Sequence, residues 1–544
     1  MRRLLVGLSC LLLIATTPSQ ARGQESYSDF LTSQVRMGTM SPPDHLKDFI
    51  RDGKLSISLR DAILLTLENN SFIRVQETQI ESQKFGVLGA YQLFDPVIQS
   101  GVNVSRYSSP SYSQLQGVAT TSALNALNQT AQFTYGETFR TGTNIQAGIS
   151  SVKSSTNSSF NFFNPYFSSQ VNLQFTQPLL RNAGRFANTA SLIIARRSLQ
   201  QSRASFESTV NNAILQVIGQ YWAAVQARGT LDVQQKSSNL AEVSYQRDKR
   251  SLELGALPPL DIYRSESEVA ARRVQVIQAS YEWTQAEEAL RLTIGAEQDT
   301  RFRTLELDLT ETPQPTGELA VVDPDAALKD ALQHRPEIEV ITASLANDET
   351  SIRVAHNQLK PDLSLTGFYQ SSGLGGNEYD LNTGQLIAPG GFGSSFGQVF
   401  GFGFPGYGGA LTLRLPVRNR VGQAGLGSAL VARSRDLYSG RQTREQIIRE
   451  VSDAVHQLEE AKLALAGGKT SFDLAQKSLA ADQRKFELGA ETNFFVLDSQ
   501  SRLAQAELVL LQTQINYQLA RAQFDHATGK LLDPYDVKIE DLSK

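Results

Sequence analysis

Two stretches of this chain, residues 187–254 and 425–488, are dense in Ala, Gln, Leu, Glu and Arg and poor in helix breakers. Each predicts one continuous helix of about 65 residues, which at 1.5 Å per residue extends about 100 Å. Helices in globular domains average about 10–14 residues, so no compact core needs such lengths. The chain is therefore expected to build something elongated, in which helices pair along their length.

The two stretches are copies of one another. Laying Leu252-Glu253-Leu254-Gly255-Ala256 over Phe486-Glu487-Leu488-Gly489-Ala490 without a gap pairs Asp248 with Asp482, Arg250 with Arg484 and Ser265 with Ser499. The same register continues to Ala286/Ala520 and Gly295/Gly529. A second block pairs Ala62 with Ala327, Ile73 with Ile338 and Pro96 with Pro361, and a third pairs Pro178 with Pro416 and Gly184 with Gly422. Three collinear blocks in one order indicate an internal duplication. Each copy reads as a short helix, a strand region, a very long helix, a tight break and a returning helix. The short helices are expected at 58–93 and 324–359, and the returning ones at 260–293 and 494–528. A short helix stacked end to end on a returning helix would match one long helix. At the breaks, Gly255 and Gly489 can take the positive φ of a helix C-terminus, and Pro258-Pro259 cannot continue the first helix. Asp261 and Asn493 are placed to cap or charge the first turn of the returning helices.

The domain plan is thus a leader at 1–21, a lead-in at 22–54, repeat 1 at 55–310, a linker at 311–323, repeat 2 at 324–529 and a tail at 530–544. The leader has the form of a secretory signal: Arg2 and Arg3, then a short apolar run from Leu4 to Ala15, then Ser19-Gln20-Ala21 before the cut. That run is too short to span a bilayer. Cys10, the only cysteine of the 544 residues, lies inside it, so the exported chain has no disulfide, thiol nucleophile or cysteine metal site. The formal charge of -4 carries no basic footprint for nucleic acid. No long apolar run follows the leader, so any entry into a membrane must be by β-strands.

Strands are expected after Pro96 and Pro361, where each short helix must stop. Val171-Asn-Leu-Gln-Phe-Thr-Gln177 and Leu411-Thr-Leu-Arg-Leu415 alternate apolar and polar residues strictly; 98–104 and 363–366 do so less cleanly. Alternation by itself suits a soluble antiparallel sheet with one buried face at least as well. The leader and the lack of apolar helices turn the reading toward a barrel with lipid outside and water inside. Segments 106–130, 151–166 and 371–408, rich in Ser, Asn, Gly and aromatics, read as outward loops. A hairpin at 132–139 and 144–149 has no counterpart in the second copy and either joins the barrel or folds above it. Two strands per copy give four per chain, or six with the hairpin. A lipid-facing barrel must close and needs about eight strands or more, so several chains must combine, and three would supply about twelve strands.

Enzymatic chemistry is not evident. The histidines at 45, 334, 356, 456 and 526 have no metal-ligand spacing. Gly401-Phe-Gly403-Phe-Pro-Gly406 matches a dinucleotide fingerprint formally, but it leads into an expected strand rather than a helix. No cofactor or metal site is expected.

In its two copies, its Gly-terminated long helices and its Gln177-Pro178-Leu179-Leu180-Arg181 strand exit, the chain resembles the TolC family of outer-membrane efflux proteins over about residues 55–529. The resemblance implies an α+β membrane protein: a homotrimer with a 12-stranded or larger barrel in outer-membrane lipid, continued by a periplasmic α-helical barrel. It implies a passive duct for efflux or type I secretion, partnered by a periplasmic adaptor and driven by an inner-membrane transporter. Adaptor binding would fall on the turns at Leu254, Gly255 and Ala256 and at Leu488, Gly489 and Ala490. Asp261 and Asp498 would lie near the narrow aperture, and Phe495 stands opposite Asp261 in the repeat, where the family often has a second aspartate. A capping role for Asp261 and a solvated helix-face role for Asp498 suit those residues equally well. The reading from a different class is a soluble periplasmic coiled-coil scaffold or adaptor without a pore.

Overall fold

A computed structural model of the chain describes residues 44–111, 123–255, 262–315, 319, 322–380 and 383–535. The expected leader, most of the lead-in, and Ala256, Pro258, Pro259 and Asp261 of the first turn lie outside the described residues. In chain order the elements begin with two short strands, β1 (Ile50–Arg51) and β2 (Lys54–Ile57), and two helices, α1 (Leu59–Asn69) and α2 (Ser71–Gly89). Four long strands follow: β3 (Val97–Pro110), β4 (Ala123–Thr138), β5 (Asn144–Thr156) and β6 (Phe163–Pro178). Then come α3 (Arg185–Glu253), α4 (Ile262–Thr293), a single turn α5 (Thr300–Arg303) and β7 (Glu306–Leu309). The second copy has α6 (Pro324–His334), α7 (Pro336–Gln358), β8 (Asp362–Tyr379), a short β9 (Leu386–Ala388), α8 (Phe392–Phe400), β10 (Phe404–Arg414), α9 (Arg420–Glu487) and α10 (Asn493–Ala527).

The long helices are as expected, with α3 of 69 residues and α9 of 68. Each expected short helix is instead split in two. Pro336 at the first position of α7 holds Arg335 in extended backbone, φ -73 and ψ 127, which interrupts the run at that residue. Asn70 makes the equivalent break between α1 and α2, at φ -71 and ψ 114. At the start of α1, Ser58 and Asp61 form a capping box that satisfies two otherwise orphaned amides.

The chain forms two compact units. One comprises residues up to Ser71 together with Val217–Pro313. Here a small sheet, ordered β1-β2-β7 with β2 and β7 parallel, encloses Leu55, Ile57, Leu307 and the fully buried Tyr221 of α3. The Tyr221 hydroxyl donates to Ile57 O at 3.2 Å and accepts from Glu311 N at 3.2 Å; burial pushes it up to about 12. Along the rest of α3, α4 runs back as its partner. Thr293 donates to Gln220, Arg228 lies 5.5 Å over the Trp283 ring, and Arg273 meets Glu242 at 3.1 Å.

The other unit comprises Phe72–Gln216 and residues from Gln314 onward. Its sheet is antiparallel throughout its six long strands, in the order β10-β8-β6-β5-β4-β3, with β9 beside β8. The sheet has two distinct faces. One carries Ile98, Val102 and Val104 of β3, Phe133 of β4, Ile145 and Ile149 of β5, Val171, Leu173 and Phe175 of β6, Leu365 and Tyr369 of β8, and Leu411 and Leu413 of β10. The opposite face carries Gln99, Asn103, Thr130, Gln132, Thr134, Gln146, Ser150, Gln170, Asn172 and Gln174, with Gln170 and Gln370 bonded side chain to side chain at 3.1 Å. Ile98, Val102 and Leu411 are 65%, 65% and 66% exposed in the single chain, which suits contact with hydrocarbon and not with water. Among the described residues no helix is long and apolar enough to cross a membrane.

One open alternative is decided here and one expectation needs correction. The hairpin at 132–149 joins the sheet, as β4 and β5, which gives the larger of the two expected counts, six long strands per chain. The segments 106–130, 151–166 and 371–408 are not simply loops. Strands β3, β4, β5, β6 and β8 run into them, because one strand face is polar and its Ser and Asn residues resemble loop composition. The remaining stretch of the third segment holds α8, which packs on the apolar face of the sheet. Phe392 stands 6.3 Å from Phe167, the Ser395 and Ser169 hydroxyls are 2.8 Å apart, and Ser371 donates to Val399 O at 2.7 Å. That approach requires Gly373, where a Cβ would lie 2.0 Å from the Ser395 carbonyl oxygen. As expected, Gly401–Gly406 leads into a strand, β10.

In the helical part of this unit, α9 is flanked first by α7, then by α6, then by α10, as the end-to-end stacking requires. Asp436 accepts from Ser344 at 2.7 Å, Gly440 faces Ile341, and Arg335 joins Glu450. Ile447, Val451, Ala454 and Val455 pack with Ala327, Ala331 and Ala527, and Leu458 and Ala461 pack with Tyr517 and Ala520. The spacing of Ile447, Val451, Ala454, Leu458, Ala461, Leu465 and Gly468 alternates between four and three residues, the period of a coiled-coil seam. Each large apolar side chain buried there contributes about 1.5–3 kcal/mol. Near the end of α10, burial pushes the Asp525 carboxyl up to about 6, with Asp533 adding to the shift and Arg521 and Lys530 opposing it. A carboxyl raised in the folded state disfavours folding above that pKa, and the penalty fades as pH falls toward the ordinary value near 4. Asp525→Asn should therefore stabilise the fold at pH 7.5 by up to about 3 kcal/mol per chain, read as a higher thermal midpoint. The gain should shrink below pH 6 and vanish by about pH 4. An unchanged midpoint at pH 7.5 would mean that the carboxyl is solvated.

Candidate functional site

Of the expected site residues, Leu254 and Gly255 stand at the end of α3, and Leu488, Gly489, Ala490, Phe495 and Asp498 at and just after the turn that follows α9. In the second hairpin, α9 ends at Glu487 and Leu488 caps it. Gly489 takes φ +72, donating its amide to Phe486 O at 2.9 Å, and Ala490 N reaches Lys485 O at 2.9 Å. These two bonds are the paired closure of a Schellman cap, and the left-handed backbone at its centre favours glycine. The first hairpin repeats the half that falls within the described residues: Gly255 is at φ +73 and its amide donates to Leu252 O at 2.9 Å. Leu254 and Leu488 are 84% and 70% exposed, apolar side chains held at the tips by the closing turn.

Below each turn lies a contact that the sequence reading did not single out. Ser265 donates its hydroxyl to the carboxylate of Asp248, linking α4 to α3, and Ser499 does the same to Asp482, linking α10 to α9. Both pairs are 17 residues apart and occupy the same repeat register. Asp482 lies where the α9 seam period ends, and Asp248 is 6% exposed. Each hairpin is thus closed by an ion-to-hydroxyl bond at a position where coiled coils place an apolar residue. The signal was in the sequence, because Asp248/Asp482 and Ser265/Ser499 are identities between the copies. Only the hairpin geometry shows that they meet.

The second tip carries a set of ion pairs. Lys485 reaches Glu491 at 2.9 Å and Asp482 at 3.4 Å, and Arg484 reaches Glu487 at 3.1 Å. The Ser499 hydroxyl, followed by Lys485, holds the Asp482 carboxyl below the usual range, and Glu491 with Asp482 holds the Lys485 ammonium above its own. Of the expected aperture residues, Phe495 is half-exposed on the first turn of α10, edge-on to Phe494 at 5.4 Å. Asp498 pairs with Arg502 one turn further along the same helix, at 2.9 Å. An exposed pair of this kind contributes little to stability. The cap of α10 is Thr492, not Asn493, and no side-chain bond supports it. Among the described residues no three His, Cys, Asp or Glu side chains gather as metal ligands would.

Removing either hydroxyl should loosen one hairpin and not the other. Ser265→Ala should speed amide exchange in the last turns of α3 and the first of α4 on the order of 10-fold, and Ser499→Ala should do so in α9 and α10. Protection unchanged in both variants would show that these bonds carry no closure energy.

The profile of the family described as Outer membrane efflux protein matches residues 143–296 and 327–530, one block in each repeat. The chain is 22% identical over 362 residues to Outer membrane protein TolC of Vibrio cholerae, covering 66% of this chain and 76% of that one. Its fold is similar to that of the outer-membrane channel OprN, with TM-score 0.62 at 14% identity, covering 87% of this chain and 90% of that one. It is likewise similar to the Campylobacter jejuni CmeC outer membrane channel, with TM-score 0.60 at 14% identity and 96% of both chains covered. The open state of the Neisseria gonorrhoeae MtrE outer membrane channel gives TM-score 0.57 at 17% identity, covering 87% of this chain and 89% of that one. With two blocks matching the family profile, a two-faced sheet and paired long helices, this chain belongs to the outer membrane efflux protein family, channels of the outer membrane that extend into the periplasm.

Proposed function

We propose that the chain is one of three identical subunits of the exit duct of a periplasm-spanning efflux or type I secretion system. The observation that carries this reading is the sheet, which has one apolar face, one polar face and, among the described residues of a single chain, two unpaired edges, on β3 and β10. A sheet of that kind is tolerated in hydrocarbon only when copies close it into a ring, and the polar face then lines a water-filled passage. The helices that follow β6 and β10 continue the wall on the periplasmic side. The duct supplies no energy and performs no chemistry on its cargo. An inner-membrane transporter drives export, and a periplasmic adaptor docks on the turns at Leu254, Gly255 and Ala256 and at Leu488, Gly489 and Ala490. The exposed leucines and the glycine-fixed backbone suit those turns to such a partner. Asp261 and Asp498 contribute negative charge near the aperture, with Arg502 offsetting part of the charge of Asp498.

The competing scaffold reading, without a pore, is disfavoured by the exposed apolar face, which a soluble protein would bury. Washing envelopes with carbonate separates the two: a scaffold is released, whereas a barrel needs detergent. The duct itself is tested by planar-bilayer conductance of the purified oligomer. Discrete steps are expected, and Asp261→Ala with Asp498→Ala should weaken block by divalent cations added from the periplasmic side. Conductance with unchanged block would reject the role of those two carboxylates. Carbonate release would reject the duct.

A further inference from the structure

We infer that the ring closed by this chain has eighteen strands, and so a lumen far wider than a twelve-stranded wall provides. This rests on the three-subunit reading above. The β4–β5 hairpin is not an appendage. β4 is in register with β3 from Val97↔Gly136 to Pro110↔Ala123 and with β5 from Ala126↔Thr156 to Thr138↔Asn144. β5 in turn pairs with β6 from Asn144↔Thr176 to Ser154↔Tyr166. The two faces carry through the middle of the hairpin: Phe133, Ile145 and Ile149 lie with Leu173 and Phe175, and Gln132, Gln146 and Ser150 lie with Asn172 and Gln174, while Glu137 at one end and Gln129, Ser151 and Lys153 toward the other bound the apolar stripe. A hairpin folded above the membrane would need no such apolar stripe.

The edges are suited to closure at this size. Six antiparallel strands leave β3 and β10 running in opposite directions, so β10 of one copy meets β3 of the next as an antiparallel pair. Their apolar residues, Ile98 and Val102 on one and Leu411 and Leu413 on the other, already share one side of the sheet. The insertion that could have plugged the lumen does not enter it. α8 lies against Phe167, Ser169, Ser371 and Gly373, on the side of Val171 and Leu173. With strands about 4.8 Å apart and tilted about 40°, eighteen strands make a ring about 36 Å across and twelve make one about 24 Å across. The lumen area roughly doubles, so the barrel sieves weakly and admits bulky hydrated cargo.

The chain's only cysteine lies in the expected leader, so single-cysteine spin labels can be placed cleanly. Asn172→Cys, on the lumen face of β6, is labelled in the detergent-purified oligomer. Its mass is measured alongside pulsed-EPR distances. Three copies on an eighteen-stranded ring put equivalent backbone positions about 31 Å apart, against about 21 Å on twelve strands, with label arms shortening both. A three-chain mass with the longer distance supports the inference. A three-chain mass with the shorter distance overturns it and leaves the three-subunit duct standing. A two-chain mass with one distance near 24 Å, a twelve-stranded dimer, overturns the subunit number and the eighteen-stranded ring together. Gln132→Cys on β4 repeats the measurement if the first variant does not assemble.

Discussion

The backbone amides and carbonyls along the outer edges of β3 and β10 set the terms for the rest of the molecule. In water such an edge is a liability that charge or a bulge can blunt. In hydrocarbon each unsatisfied group costs several kcal/mol, and closure is the only remedy. One chain holds too few strands to close by itself with its polar face inward, so the need for further copies is built into the backbone before any side chain is considered. The same constraint accounts for the antiparallel order and the even strand number. Both are required for identical subunits to meet edge to edge without a parallel junction.

The helices answer a different demand, that of holding long partner helices in register. A coiled-coil seam of small and medium apolar residues does this along α9, from Ile447 to Gly468, with Ala327, Ala331, Ala520 and Ala527 letting the partner helices approach closely. Apolar seams slide readily, because one rung resembles the next. The polar contacts interrupting the seam act against sliding. Arg335, buried between Glu337 and Glu450, fixes the junction of α6 and α7 on α9, and Asp482 with Ser499 fixes the far end. Burying such groups has a desolvation cost, and the specificity of register is what they supply in return.

Much of this was legible in the sequence, and the parts that were not share a cause. The long helices, their glycine-capped turns and the duplication rest on local chemistry: unbroken helix formers, positive φ at Gly255 and Gly489, and identities in one register. The strands were read too short because a barrel strand facing water on one side is written in Ser, Asn, Gln and Thr, as loops are. β4 carries Asn128, Thr130, Gln132 and Thr134 on one face, and only Phe133 and its neighbours on the other betray it. α8 was hidden by its glycines and serines, of which Ser395 sits at the close approach that Gly373 admits and bonds Ser169. The split of the short helices at Arg335 could have been read from Pro336. The split at Asn70 had no comparable mark.

The Asp–Ser closures bear on how a duplicated hairpin can diverge. Both copies keep the closure 17 residues apart and the glycine at the turn, so the mechanical end of each hairpin is held in common. What differs is the residues around the turn. The second tip carries Lys485 between Asp482 and Glu491, with Arg484 and Glu487 beside it. The first has Pro258-Pro259 in its sequence, and position 261 is an aspartate where the second copy has Phe495. The Arg484–Glu487 pair of the second tip is exposed and adds little to the fold energy of its hairpin. A partner touching both tips would nevertheless meet two chemically different surfaces. Identical closures beneath unlike tips are what a duct requires if both hairpins must hold the same geometry while presenting distinct faces to whatever docks there.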